Sequence, residues 1–286
     1  MDSNLFYIVW CVLEINYLCL FIYPNSVSLI ISYFKFLAQS TNQHGVHSPF
    51  VYNLVTKCFY DKKKYPEYKA LKHYRKLLLK NNSVISVTDF GAGSRVFKSN
   101  ERKIAAIAKN AGISKKRAQL LLRITDYLEP ESILEIGTSL GLATSALALG
   151  NPNAKITTLE GCSNTQKVAK ETFRELNLNH QNIEFVTTEF STYLYNLKAE
   201  NSNFKLIYFD GNHSKKATLE YFKLLLPTLT NDSVWIFDDI HWSLDMNQAW
   251  EEIKKHEKVK VTIDTFQWGL VFFRKEQEKE HFTIRI

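Results

Sequence analysis

From residue 132 onward the chain alternates short apolar runs with amphipathic stretches, and each run ends on acidic or polar residues. The runs are SILEIG (132–137), KITTLEG (155–161), IEFVTTE (183–189), FKLIYFDG (204–211) and SVWIFDD (233–239). Helical stretches begin near Gly141, Ser163, Phe190, Ser214 and Ser243, and Ser163 with Gln166 has the spacing of a capping box. Several runs are apolar throughout, as parallel strands covered on both faces require. Strand and helix alternating at this spacing mean βαβ units with right-handed crossovers. The end differs, because VKVTIDTF and GLVFFRK are separated only by Gln267 and Trp268. Strands this close pair antiparallel, since a parallel return needs a dozen or more residues. The predicted fold is α/β: a doubly wound, mostly parallel seven-stranded sheet with an antiparallel C-terminal hairpin, preceded by an N-terminal helical region.

Three regions follow: 1–26, 27–128 and 129–286. Residues 5–23 form the most apolar stretch, interrupted by Glu14 and Asn16, and are a candidate membrane anchor or a hydrophobic extension. With basic residues only downstream of it, a spanning segment would leave the rest of the chain in the cytoplasm. Residues 27–80 carry apolar residues at helical spacing, with the turn-forming segment Gln43–Phe50 between two such stretches. Residues 99–111 and 114–128 read as two more helices, with Gly112 as a breaker and Ser114 as an N-cap. The four cysteines have no C-x-x-C spacing, which argues against a disulfide framework or zinc site and for reduced thiols in a cytoplasmic protein. The net charge of +7 is too small by itself to imply nucleic acid. Nine Lys and Arg lie between Arg95 and Arg123, and no aromatic interleaving accompanies them. A solvated face is the plainer reading, and nucleic acid the lesser one.

Open parallel sheets bind ligands at the carboxyl ends of their strands. After the first strand stands Glu135-Ile136-Gly137-Thr138-Ser139-Leu140-Gly141. Gly137 permits a tight turn, and Gly141 lets the next helix start against the sheet with its free N–H groups facing a ligand. Glu160, 23 residues beyond Gly137, stands where an acid accepts hydrogen bonds from ribose hydroxyls. The later strand ends carry Thr188 and Glu189, then Asp210-Gly211-Asn212-His213, then Asp238-Asp239-Ile240-His241. Ser139 replaces the second glycine of a dinucleotide fingerprint, and no P-loop motif occurs. An acid-rimmed turn without phosphate-binding cations suits a nucleoside carrying positive charge, as S-adenosylmethionine does.

The motifs ILEIGTSLGLATSALALG, TTLEG, LIYFDGNH and WIFDDIHWS resemble the class I S-adenosylmethionine-dependent methyltransferases over roughly residues 132–275. The last two look like the O-methyltransferase branch, and the HGVHSPF and DFGAGS segments resemble a bacterial subgroup common in Bacteroidota. The resemblance implies that Glu135, Gly137, Thr138, Ser139 and Gly141 surround the methionine part of the cofactor. It places Glu160 on the ribose, Thr188 or Glu189 near the adenine, and Asp210 beside methyl donor and acceptor. Asp89-Phe90-Gly91-Ala92-Gly93 is a rival local match, but no strand ending in an acid follows it at the right distance. It reads as a loop that closes over the site or touches substrate, or as a plain glycine turn.

Methyl transfer to a hydroxyl requires in-line alignment and removal of a proton. Asp210 or His213 is the candidate base, with Asp239 beside them. Alternatively Asp210, Asp238 and Asp239 hold a divalent cation, Mg or similar, that lowers the acceptor's pKa. The metal-dependent branch usually has Asn where Asp239 stands. Asp238 could instead cap the helix near Ser243. His44 and His47 belong more naturally to a turn packed on the helices than to the site. The expected acceptor is a small molecule or an envelope-related compound. Alternatives are a non-catalytic nucleoside-binding scaffold, or an RNA methyltransferase using residues 95–123.

Overall fold

The computed structural model of the chain describes residues 24–88, 90, 97, 99–178, 181–197 and 203–286. The apolar stretch 5–23 and all of Asp89–Ser94 except Phe90 lie outside the described residues. The amino-terminal region forms α1 (Pro24–Gln39), α2 (Pro49–Leu54), α3 (Tyr68–Lys80), β1 (Val84–Ser86), β2 (Glu101–Lys103), α4 (Ile104–Asn110) and α5 (Lys115–Leu128). There follow β3 (Ser132–Ile136), α6 (Leu142–Gly150), β4 (Lys155–Glu160), α7 (Ser163–Glu175), β5 (Ile183–Thr187) and α8 (Phe190–Leu197). The chain ends with β6 (Leu206–Phe209), α9 (Lys215–Leu225), β7 (Val234–Asp238), α10 (Leu244–Lys255), β8 (Val261–Asp264), β9 (Trp268–Phe272) and β10 (Glu280–Thr283). Among the described residues, no helix is long and apolar enough to cross a membrane.

The main sheet runs β10-β8-β9-β7-β6-β3-β4-β5. From β3 the chain winds outward through β4 to β5, then returns to the other side of β3 for β6 and β7. The order reverses between β3 and β6, the switch point at whose carboxyl ends open α/β sheets bind ligands. Strand β9 pairs antiparallel with both β7 and β8, which is the expected hairpin. The sheet has eight strands rather than the seven expected from sequence. The extra one, β10, is four residues long, partly exposed, and adds parallel to β8 at the edge. Its sequence, EHFT, has neither the length nor the apolar content to signal a strand.

The two faces of the sheet carry separate apolar layers. On one, Val51, Leu54 and Leu121 from the amino-terminal helices and Phe173 of α7 pack on Ile133, Ile156, Leu206 and Ile236. On the other, Leu194 of α8, Phe222 of α9 and Trp250 of α10 pack on Leu134, Ile207, Trp235 and Val271. The strand residues alternate between the two layers, which is why the sequence shows unbroken apolar runs rather than polar alternation. The amino-terminal helices share a core with the sheet. Arg123 fastens this junction by donating from Nε to the Cys58 carbonyl (2.9 Å) and from Nη1 to the Tyr68 hydroxyl (3.0 Å).

Three local expectations are corrected. Residues 101–103 are not helical but pair with β1, and the helix begins only at Ile104. The Ser163–Gln166 capping box does not form. Cys162 occupies the N-cap position without a side-chain capping bond, and Gln166 accepts from the Thr187 hydroxyl through Oε1. Asp238 does not cap α10, because Ser243 does so by accepting from the Met246 N–H (3.1 Å). By contrast Ser114 caps α5 as expected, accepting from the Arg117 N–H.

Candidate active site

Gly137 follows β3 with φ of +107°, and a Cβ there would stand 2.2 Å from the Asp210 carbonyl oxygen. The turns after β3 and β6 therefore touch backbone to backbone, which only glycine allows. The N–H groups of Gly137 and Thr138 both donate to the Leu159 carbonyl at 2.9 Å, tying the turn to β4 as well. Gly141 (φ +76°) ends the turn, and a Cβ there would meet the Tyr74 hydroxyl at 2.5 Å. That hydroxyl donates to the Leu140 carbonyl at 2.9 Å, and its ring packs edge-on against Phe173. Helix α3 thus supports the turn from below, a contribution from the amino-terminal region that no motif announces. Gly137→Ala is expected to cost about 1–3 kcal/mol of stability. A urea titration of the variant, with S-adenosylhomocysteine binding measured alongside, checks it; a wild-type midpoint would contradict the close approach.

Glu160 ends β4 with its carboxylate turned toward the glycine turn. Oε2 accepts the Ser139 N–H at 2.7 Å, and Oε1 accepts the Cys162 N–H at 2.9 Å. These bonds hold the carboxylate between the turns after β3 and β4. Phe90 lays its ring on Gly161, where a Cβ would lie 2.6 Å from Cδ2. The described part of the 89–94 segment thus borders the strand end. Thr188 donates its N–H to the Glu160 carbonyl at 2.9 Å. Glu189 accepts from the hydroxyls of Ser191 and Thr192, which lower its pKa, so it serves the first turn of α8.

Glu135 lies beneath the turn and is wholly buried. Oε2 accepts from the hydroxyls of Thr144 and Thr158, each at 2.5 Å, while Oε1 has no hydrogen-bond partner among the described residues. Burial pushes its pKa up to about 8; the threonine hydroxyls oppose this, while Asp210 and Glu160 add to it. A carboxyl raised in the folded state favours folding below its ordinary value of 4.5 and loses that contribution as pH rises through about 8. Wild type should lose on the order of 2–4 kcal/mol between pH 5 and pH 8 from this group, and Glu135→Gln should flatten that slope. Urea midpoints of both proteins across the range provide the check; parallel curves would contradict the assignment.

The second half of the site lies after β6 and β7. Asp210 donates its N–H to the Ile136 carbonyl at 2.9 Å. Its carboxylate faces the Tyr208 hydroxyl (3.4 Å) and His213 Nε2 (3.6 Å). Burial raises the Asp210 pKa to about 7; Arg117 pulls it down and Asp239 pushes it up. Burial lowers the His213 pKa; Asp239 opposes this and Arg117 adds to it. Ser139 (φ +48°), Asn212 (+49°) and Asp239 (+52°) all adopt left-handed backbone without being glycine.

Arg117, in the first turn of α5, reaches into this cluster, a placement the sequence reading did not make. Its guanidinium contacts Asp238 Oδ1, lies 3.9 Å from Asp239 Oδ1, and stacks 5.3 Å from the centre of the Trp268 ring. One signal pointed to it: α5 opens with Lys115, Lys116 and Arg117 and no acid, which opposes the helix dipole unless an anion lies nearby. Among the described residues, no three His, Cys, Asp or Glu side chains are grouped closely enough to hold a metal ion. Arg117 engages Asp238, one of the three carboxylates expected to hold a divalent cation.

His44, His47 and His241 also lie outside the α-helices and strands. His241 is fixed between Asp264 Oδ2 (2.7 Å at Nε2) and Asn247 Oδ1 and stacks on Phe266. The segment with His44 and His47 runs along the β10 edge, with Ser48 on Gln277 and Phe50 against Phe272, and both histidines are exposed. Trp250 and Trp268 are buried, and Trp242 is 36% exposed.

Residues 134–240 match the family model described as a methyltransferase domain. A methyltransferase of Podospora anserina, bound to SAH, is similar with a TM-score of 0.57 at 13% identity, over 80% of this chain and 97% of that one. An O-methyltransferase of Bacillus cereus in complex with SAH gives 0.51 at 16% identity, over 77% and 96%. An O-methyltransferase of Streptomyces achromogenes involved in tomaymycin synthesis, in complex with SAM, gives 0.52 at 14% identity, over 77% and 95%. At such identities the likeness establishes the fold.

Proposed function

We propose that this chain, whose residues 134–240 form a domain of the methyltransferase family on a class I S-adenosylmethionine-dependent methyltransferase fold, transfers a methyl group to an oxygen atom of a small-molecule acceptor. The observation that carries the reading is the carboxylate of Glu160 fixed against the backbone of the Gly137–Gly141 turn. A carboxylate at the end of the second strand of such a sheet is placed to accept from ribose hydroxyls. Glu135 lies buried beneath the turn, and its Oε1 has no hydrogen-bond partner among the described residues. Thr188, Glu189 and Gly161 border the side where the adenine would lie. S-adenosylmethionine supplies a methyl group on a cationic sulfur, which keeps the bonding electron pair when the methyl leaves.

The remaining chemistry belongs to the protein. Asp210 stands at the crevice between β3 and β6, at the junction of the two halves of the site. With its pKa raised to about 7, it is a base matched to neutral pH and takes the proton from an acceptor hydroxyl. His213, 3.6 Å from Asp210, is held neutral by burial and relays or shares that proton. Asp239 keeps the local field negative and so favours a cationic donor over its neutral product. No step is assigned to a metal ion. An RNA acceptor is less well supported, because Arg117 and Arg123, two of the basic residues in 95–123, turn inward onto Asp238 and onto Cys58 and Tyr68. Incubation with methyl-tritiated S-adenosylmethionine and a panel of phenols, alcohols and carboxylic acids tests the reading. Radiolabel moved to oxygen supports it; a protein that binds the cofactor yet labels no member of a broad panel favours the scaffold alternative.

A further inference from the structure

We infer that Arg117 is a built-in cation of the site: it occupies the seat among the strand-end carboxylates that a divalent metal ion would otherwise fill. This rests on the methyltransferase reading for its place in catalysis, but not for the ion-binding behaviour it entails. Asp238 is 5% exposed, and a buried carboxylate must be paired or protonated. Its partner is a guanidinium whose side chain is 18% exposed and which is backed by the Trp268 ring. The same guanidinium lies 3.9 Å from Asp239 and acts electrostatically on Asp210 and His213. Its Nε is buried with no hydrogen-bond partner among the described residues. Placing three cationic residues in the first turn of α5 opposes the helix dipole, and the anions on β7 and its following turn offset that cost for Arg117.

Arg117 acts here as a positioning residue. It fixes Asp238 and Asp239 and sets the charge around Asp210, which removes the need for a bound metal. Its removal would leave carboxylates on adjacent strand ends without a counter-charge, a site that attracts a divalent ion.

Manganese binding, read by the loss of the free Mn²⁺ electron paramagnetic resonance signal, tests the inference without any acceptor. Wild type is expected to leave Mn²⁺ free at concentrations up to about 1 mM. Arg117→Met should gain a site of at least tenfold higher affinity, and Arg117→Met with Asp238→Asn should lose it again. Wild-type binding of Mn²⁺ that Asp239→Asn abolishes would overturn the inference and needs no Arg117 variant to fold. So would a folded Arg117→Met protein that gains no Mn²⁺ site. S-adenosylhomocysteine affinity, measured on the same samples, reports separately on the methyltransferase reading: its absence in wild type defeats that reading and leaves the ion result standing.

Discussion

Glu160→Ala is expected to weaken binding of S-adenosylmethionine and of S-adenosylhomocysteine alike, by about 100-fold. A carboxylate that accepts two ribose hydroxyls contributes about 1.5–3 kcal/mol per bond, and a loss near 3 kcal/mol corresponds to roughly two decades of affinity. The loss should be equal for donor and product, because they share the ribose and differ at sulfur. The same carboxylate holds the N–H groups of Ser139 and Cys162, so the empty turn also loosens in the variant. Circular dichroism and a melting curve separate the two effects: a folded variant with lost affinity assigns the deficit to the site. Calorimetric titration of both ligands is the measurement. Unchanged affinity in a folded Glu160→Ala protein would remove the ribose from residue 160.

The second large effect is expected at Asp210. Replacing it by Asn keeps the shape of the strand end and the N–H bond to Ile136, but removes the base. General-base catalysis contributes about 10²–10⁴-fold, so kcat with an identified hydroxyl acceptor should fall by that order. S-adenosylhomocysteine affinity should change by no more than severalfold, since the backbone of Asp210, not its carboxylate, lies under Gly137. The pH profile supplies a second readout. Asp210 must be ionised to accept a proton, and burial raises its pKa to about 7, so the wild-type rate should climb as pH rises through about 7. That limb should vanish in Asp210→Asn. A variant with wild-type kcat, or an unaltered acidic limb, would place the base elsewhere.

The parts of the molecule legible in sequence are those written in local pattern. Apolar runs of strand length ending in acids gave β3 to β7, and the Gln267–Trp268 break gave the β8–β9 hairpin. Gly137 and Gly141 were legible because a tight turn demands one residue type at one spacing. Nothing local marks β10, whose four residues are ordered by pairing along β8. Gln166 was misread because Thr187, a partner 21 residues away, takes its side chain in place of the helix start. Tyr74 and Arg117 come from helices well before the glycine turn and reach the site through packing alone. In sequence the acidic cluster at the strand ends was open to two readings, a general base or a divalent-cation site. Its neutralising charge sits on α5, more than a hundred residues upstream of Asp238.

A crystal structure with S-adenosylhomocysteine reaches the central point most directly. Electron density seated on the Gly137–Gly141 turn, with both ribose hydroxyls within about 3 Å of the Glu160 carboxylate, is the expected result. Density at another place on the molecule, or a turn left empty at saturating ligand, contradicts it.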